Sequence, residues 1–418
     1  MISKNILLKD ILSYTISKIF PGLAGLLSVV LFFKIAGADN YGKYSLYLAQ
    51  CNLIAAVAFG WLNQANLRYY TLDFDSPEYL LSQKKSLIYS CLVSFIFLLI
   101  LASIQKLSMN IWLISYVTIF SIGGFNYLKT QYQIKLVPKK IIQITFFNSV
   151  LSLLIPIGLL FFEKNERMIL IGIGISNLIV ILFSKRAVIF NQPFAHLIIK
   201  TKNGNKLLKK WFKYGSSLSI WFALGLALPF FDRLFINKYL STIELGVYAG
   251  SQELLTKIFS LIIFPLTLAL HPRIINYWND LKVIEAIKLI KWGFKIISLI
   301  GLTLFIFFWH FEEFFFQIII KLIPEFKVEY KPIIFPLLVS GLTWQLSFIS
   351  HKILELKEKT KTMVLLLSFS LVINIIGNIY FIPLFGIIST AYISLICSLF
   401  YCLSTTLYSI NTIIKLKV

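Results

Sequence analysis

Long apolar runs, separated by short charged or Pro/Gly-bearing breaks, set the pattern of this chain. Twelve runs stand out, at 12–34, 44–65, 86–104, 110–128, 141–162, 168–186, 214–236, 243–270, 289–310, 333–351, 362–382 and 387–411. A helix needs about 20 mostly apolar residues to cross the hydrocarbon core of a bilayer, and each run is near or above that length. The pattern predicts an all-α polytopic membrane protein with twelve transmembrane helices.

Composition removes the competing classes. Of 418 residues, 58% are hydrophobic and 14% charged, and mean hydropathy is +0.81. An ordinary soluble domain has roughly 45–50% apolar and about 25% charged residues. A soluble enzyme, a disulfide-stapled secreted scaffold and a disordered chain are excluded. Cys51, Cys91, Cys397 and Cys402 all fall inside apolar runs and read as small buried thiols. His196, His271, His310 and His351 are dispersed and match no metal-ligand spacing.

Charge adds an orientation. The net charge is +22, from 40 Lys+Arg against 18 Asp+Glu. Of the 40 cations, 27 fall in the termini and even-numbered connections, nine in the odd-numbered ones, and four (Lys18, Arg233, Lys257, Lys295) inside spans. Lys and Arg stay on the cytoplasmic side of a membrane, so both termini are expected there, in the cytoplasmic (inner) membrane. The excess is topological and calls for no nucleic acid. Met1 to Leu12 reads as an uncleaved leader into the first span. The longest connections are 187–213, basic and cytoplasmic, and 311–332, external with Glu312, Glu313, Glu325 and Glu329. Neither amounts to a soluble domain, which leaves the helix bundle as the place for function.

The chain also repeats itself. Leu7-Leu8-Lys9 followed by Tyr14 returns as Leu207-Leu208-Lys209 followed by Tyr214, and Gly42-Lys43-Tyr44 returns as Gly246-Val247-Tyr248 at an offset of 204. Six spans separate the copies, so both enter the membrane in the same direction. Such a parallel repeat is related by an axis along the membrane normal, with a cavity at its interface. The expected organisation is an N-terminal lobe at 1–190, a basic cytoplasmic linker at 191–212 and a C-terminal lobe at 213–418. Two six-helix lobes related by a pseudo-two-fold suit an alternating-access transporter better than a channel.

Ionisable groups inside spans are costly and mark cavities or buried partners. Lys18 precedes Pro21-Gly22, and it either snorkels to the headgroups or lines the inner half of a cavity. Asp232 and Arg233, near the outer end of the seventh span, read as a gate between lobes or as an ion pair. Glu253 and Lys257 lie four apart on one helical face of the eighth span, beside Gln252, and can neutralise each other in a cavity or in a structural bridge. The second span carries Gln50, Asn52, Asn63, Gln64, Asn66 and Arg68, a hydrated face or an interhelical hydrogen-bonding one. Lys288, Lys291 and Lys295 suit snorkelling, and Trp112, Trp211 and Trp309 suit interfacial belts. No phosphate-cradling G-x-x-x-x-G-K-[ST] occurs, and the first external connection offers only Asp39 as a catalytic carboxylate.

Three segments carry a resemblance. The first is Gly37-Ala38-Asp39-Asn40-Tyr41-Gly42-Lys43-Tyr44-Ser45-Leu46, with Gly60 and Arg68-Tyr69-Tyr70. The second runs from Tyr214-Gly215 through Asp232-Arg233 to Leu245-Gly246-Val247-Tyr248 and Pro265 to Pro272. The third holds Asn374, Asn378, Ile382-Pro383, Phe385-Gly386 and Ala391. Together they resemble the polysaccharide (O-antigen) flippases, the Wzx-type members of the multidrug/oligosaccharidyl-lipid/polysaccharide (MOP) exporter superfamily. That resemblance implies two six-helix lobes around a cationic cavity. It also implies inward-to-outward transfer of polyprenyl-pyrophosphate-linked oligosaccharide, driven by a proton or sodium gradient and needing no cofactor. A polysaccharide polymerase and a chain-length regulator are the implied protein partners. The Gly-Tyr turns and the Asp232-Arg233 pair match the family pattern. Lys18, Arg68, Glu253 and Lys257 are cavity candidates from their placement alone. A drug antiporter of the same superfamily, which relies on cavity carboxylates, and a membrane polymerase or glycosyltransferase are the alternatives.

Overall fold

The computed structural model describes residues 4–69, 77–135, 137–184 and 204–415, with side chains in the first helix described from Phe20. It is built of helices: α1 (Lys4–Tyr69), α2 (Pro77–Gln105), α3 (Met109–Ile134), α4 (Pro138–Leu160), α5 (Glu166–Phe183), α6 (Gly204–Tyr239), α7 (Thr242–Asn279), α8 (Val283–His310), α9 (Glu312–Leu322), α10 (Ile334–Ser350), α11 (Lys352–Leu356) and α12 (Thr360–Lys415). Among the described residues, ten helices are long and apolar enough to cross a membrane. The chain is a multi-pass membrane protein.

Two of the ten helices are double-length. The described part of α1 runs 50 residues from Phe20, and α12 runs 56 residues. Each is interrupted at one residue, Gly37 (φ 80°, ψ 165°) and Gly386 (φ 60°, ψ −150°). With each double-length helix crossing twice, the ten accommodate twelve crossings. The short turn expected between the first two runs is thus a single-residue joint, because glycine reaches backbone conformations closed to residues with a Cβ. Gly37→Ala and Gly386→Ala are each expected to destabilise the fold by about 1–3 kcal/mol. Nothing lies within 4 Å of an added Cβ at either site, so the loss should come from the backbone alone. Thermal unfolding in detergent measures it, and a variant as stable as the parent would show the joint to be unstrained.

Local chemistry sets the other boundaries. Pro138 opens α4, where a missing N–H costs nothing. Asn165 caps α5 by accepting from the Met168 N–H at 3.0 Å. Ser241 and Glu244 form a capping box at the start of α7. Lys106, Leu281 and Glu358 take left-handed conformations after α2, α7 and α11. The next residue in each case bonds back to the carbonyl five positions earlier, Leu107 to Ala102, Lys282 to Tyr277 and Lys359 to Leu354, which stops the helix without glycine. The 311–332 connection is not plain loop: it contains α9 and a 3₁₀ turn at Val328–Ile333, with Lys331 paired to Glu312 and Glu313 at 3.3 and 3.2 Å.

The chain divides into two compact units, one made of Met1–Lys43 with Phe231–Val418 and the other of Tyr44–Phe230. In the second unit, Cys51, Ile54, Ala55, Ala58 and Phe59 of α1 pack with Leu98, Ile119 and Leu170. A second cluster joins Trp61, Leu62, Ala65, Tyr79, Tyr127 and Trp211. Trp211 is fully buried there, edge-on to Tyr79 at 5.1 Å, not at an interfacial belt; the adjacent tyrosine gives it a packing partner that a belt position lacks. In the first unit, α10 and α12 are joined through hydroxyls, with Thr343 to Ser398 at 2.7 Å, Ser350 to Thr405 at 2.5 Å and Ser409 to the Ser350 carbonyl at 2.6 Å. Small polar residues of this kind let helices approach closely and bond across a membrane interface. All four cysteines are free, Cys51, Cys397 and Cys402 being buried.

Candidate functional site

Two adjacent residues of α6 organise the site. Successive residues on a helix diverge by about 100°, so Asp232 and Arg233 address different neighbours. Both are buried, and both find partners within the first unit.

Asp232 is held by four donors. Its Oδ1 accepts from Asn374 Nδ2 at 2.7 Å and Asn378 Nδ2 at 2.9 Å. Its Oδ2 accepts from the Ser394 hydroxyl at 2.7 Å and the Tyr248 hydroxyl at 3.3 Å. Asn374 and Asn378 are one turn apart, on one face of the arm of α12 that precedes Gly386; Ser394 lies on the arm that follows. The glycine joint therefore brings both arms of α12 to the same carboxylate. Gln252 donates to Tyr248 at 3.4 Å and extends the network along α7. Two buried oxygens close by in sequence, Asn378 Oδ1 and Thr390 Oγ1, have no hydrogen-bond partner.

Arg233 turns instead to α7. Its Nη2 donates to Glu253 Oε1 at 3.0 Å, and Lys257 Nζ donates to Glu253 Oε2, also at 3.0 Å. Lys257 reaches further, to the backbone carbonyl of Gly25 in α1 at 2.9 Å. The result is a cation–anion–cation chain with net charge +1. Its Arg233 end is 8% exposed and its Lys257 end 32% exposed. A buried ion pair is stable only when its remaining hydrogen-bonding capacity is met, and the Gly25 carbonyl meets part of it for Lys257.

The structure thus brings Arg233, Glu253 and Lys257 together and sets Asp232 beside them in a separate cradle. Arg68 belongs to the second unit, at the last turn of α1, 5.9 Å from the Tyr214 ring. The Lys18 side chain lies outside the described residues, as do most of the expected 191–212 linker and the first residues of the leader. Ser394 had no signal in the sequence, because a lone serine in an apolar run is unremarkable. Asn374 and Asn378 carried one, two amides at helical spacing. A further cluster has no pattern in the sequence: Lys352, itself buried, contacts His271 Nδ1 at 2.7 Å and Glu355 at 2.5 Å, with His351 beside it and 3.5 Å from the Tyr401 hydroxyl. No group of three or more His, Cys, Asp or Glu among the described residues could hold a metal ion.

The first unit also contains a reciprocal helix crossing. A Cβ on Gly42 would collide with the Thr242 carbonyl oxygen, and a Cβ on Gly246 with the Ala38 carbonyl oxygen. Residues 38 and 42 become 242 and 246 on adding the repeat offset of 204. The repeated Gly-x-Tyr motifs therefore open two helices that pack on each other about a local two-fold. Asp39 joins the crossing, hydrogen-bonded to the Thr242 hydroxyl and paired with Lys43 at 2.5 Å.

No known family profile matches the chain, and no curated protein does either. Solved structures do resemble it. The lipid II flippase MurJ in an inward closed conformation aligns with a TM-score of 0.71 at 16% identity, over 96% of this chain and 87% of that one. An inward-facing multidrug resistance transporter of the MATE family, from the MOP superfamily, gives 0.66 at 13% identity over 98% of both chains. A Vibrio cholerae MATE transporter gives 0.67 at 10% identity over 99% of both. At these identities the likeness is one of architecture, and it extends over nearly the whole chain. The helical arrangement of the described residues is a fold like that of the MOP-superfamily exporters.

Proposed function

We propose that this protein is an ion-coupled, alternating-access flippase, with two lobes at 1–190 and 213–418 and both termini cytoplasmic. It moves polyprenyl-pyrophosphate-linked oligosaccharide units from the inner to the outer leaflet of the cytoplasmic membrane for surface polysaccharide (O-antigen or capsule) assembly. A polysaccharide polymerase and a chain-length regulator would receive the flipped unit. The observation that carries this reading is Lys257, a partly exposed ammonium within a membrane-spanning helix, at the open end of a chain with one charge in excess. A flippase must take a diphosphate out of water while the polyprenyl tail stays in lipid, and a fixed cation replaces lost hydration. Glu253 holds Lys257 in place before the substrate arrives and releases it to the diphosphate. Lys18 remains a further cationic contact in this scheme.

Asp232 supplies the coupling step. A buried carboxylate facing two amides and two hydroxyls can take a proton, or a small monovalent cation once the amides turn their oxygens inward. Either exchange changes the charge of a cradle that joins α6, α7 and both arms of α12.

Leaflet transfer tests the reading. Purified protein would be reconstituted with a fluorescent polyprenyl-pyrophosphate glycan, and a membrane-impermeant quencher would report its movement with and without a gradient. Transfer should exceed that in empty liposomes and rise with the gradient. Lys257→Ala should lower it at least about tenfold, the effect of one lost charge-assisted contact, and Lys257→Arg should retain most of it. Transfer at the parental rate in correctly inserted Lys257→Ala removes this cation from the mechanism. The Asp232 cradle also favours a second reading, a drug antiporter. Gradient-driven uptake of a cationic dye, with no glycan transfer, would select it.

A further inference from the structure

At one end of the second unit, where α1 stops and α6 begins, a group of cations has no role in the scheme above. The first turns of α6 lie against the last turns of α1, with Phe212 edge-on to Trp61 at 5.5 Å and Tyr214 edge-on to Tyr69 at 5.6 Å. Two cations are braced on that tyrosine pair, each on the ring of the opposite helix. Lys210 Nζ of α6 stands 4.7 Å from the Tyr69 centroid, and Arg68 of α1 stands 5.9 Å from that of Tyr214. Contacts of this kind are weak at exposed sites but bias where the two charged heads sit. Arg68, Lys206, Lys209, Lys210 and Lys213 are all exposed, and among the described residues none has a carboxylate partner.

The buried residues next to them are short of acceptors too. The Asn66 carbonyl oxygen takes two donors, the Tyr79 hydroxyl and Gln83 Nε2, each at 3.2 Å. That fixes the orientation of the amide and leaves Asn66 Nδ2 with no acceptor; Trp211 Nε1 has none either. Both residues are fully buried. Positive charge on a cytoplasmic face needs only to be present, whereas these charges are positioned, over a core with N–H donors to spare. Apolar groups flank them: Leu67 and Phe212, the immediate neighbours of Arg68 and Trp211, are exposed. An acceptor-rich head joined to an apolar tail would meet both features.

We propose that Arg68, Lys210 and the neighbouring lysines of α6 bind the phosphate of an anionic membrane-lipid headgroup, with its acyl chains along Leu67 and Phe212. Phosphate oxygens would supply the anionic partner these exposed cations lack, and basic clusters at the ends of membrane helices attract such headgroups. The assignment stands whatever the chain transports.

Native mass spectrometry of the full chain, titrated with phosphatidylglycerol or phosphatidylcholine in detergent, tests it. Arg68→Gln with Lys210→Gln should weaken phosphatidylglycerol binding at least about tenfold and leave phosphatidylcholine unchanged. Lys288→Gln with Lys291→Gln removes the same charge from exposed positions of α8 and should leave phosphatidylglycerol bound. Tyr69→Phe should behave as the parent and Tyr69→Leu should lose affinity, because the ring face braces the cation. Equal loss in both charge-removed pairs would reduce the effect to bulk electrostatics and overturn the site. So would displacement of phosphatidylglycerol by millimolar inorganic pyrophosphate, which would mark a site for soluble phosphate. The substituted cations are exposed, and unchanged thermal unfolding is expected of each charge variant.

Discussion

Asp232→Ala is expected to abolish gradient-stimulated transport and to produce the largest loss of stability among the site variants. The substitution leaves the Asn374 and Asn378 amides and the Ser394 and Tyr248 hydroxyls without their shared acceptor, all within a buried network. Interhelical hydrogen bonds in membrane proteins contribute about 0.6 kcal/mol each, so four of them amount to roughly 2–3 kcal/mol. Asp232→Asn separates fold from coupling. It keeps one oxygen acceptor and the shape of the side chain, so unfolding should shift less than in the alanine variant. It cannot take up a proton or balance a cation, so transfer should become insensitive to the gradient. The pair of measurements is unfolding in detergent and transfer in proteoliposomes at several gradients. An asparagine variant that still responds to the gradient like the parent would place the coupling group elsewhere.

Widening the crossing at Gly42 and Gly246 should have the second largest effect. Each glycine lets a backbone carbonyl of the other helix approach where no Cβ fits. Gly42→Ala or Gly246→Ala forces the helices apart, and overpacking of this kind costs about 1–3 kcal/mol. The two sites share one interface, so they should not act independently. Once the first methyl has separated the helices, the second finds part of its space already made. The double variant should therefore lose less than the sum of the singles, with a coupling of about 1 kcal/mol. Additive losses would mean that each methyl is accommodated by a separate local adjustment. In the proposed flippase this crossing lies at the outer end, so variants that loosen it should also leak substrate between turnovers.

The long apolar runs were legible because a bilayer demands them. Each boundary was drawn by a charge, a proline or a glycine, and most fall within a few residues of the helix ends. The two glycine joints were not legible as such: Gly37 and Gly386 look like ordinary turn glycines, and only backbone geometry shows that the helix resumes on the other side. The four-residue spacing of Glu253 and Lys257 predicts their pairing, since a helix places those positions on one face. Arg233 as third member could not be foreseen, because its contact crosses from α6 to α7 over 20 residues of sequence. Asp232 is costly in lipid on sequence grounds alone, but its cradle depends on the fold of α12 and has no local signature. Trp211 shows the opposite failure. Its position near a span end suggested an interface, and the neighbouring Tyr79 captured it for the core.

The single-residue joint at Gly37 also bears on how the chain first enters a membrane. Two crossings with no loop between them offer nothing hydrophilic to be passed across separately, so the pair should insert together as a helical hairpin. What must be carried over at its tip in the proposed topology is small: Lys34, Asp39, Asn40 and Lys43. Asn40 satisfies itself by donating to the Ala36 carbonyl at 2.9 Å, and Asp39 and Lys43, one turn apart, cancel each other's charge. Lys34, exposed three residues before the joint, leaves the tip with a net charge of +1, so in the proposed topology an inside-negative membrane potential opposes its outward passage. Replacing Lys43 alone would make the tip neutral and less sensitive to that potential, and replacing Asp39 alone would make it more sensitive.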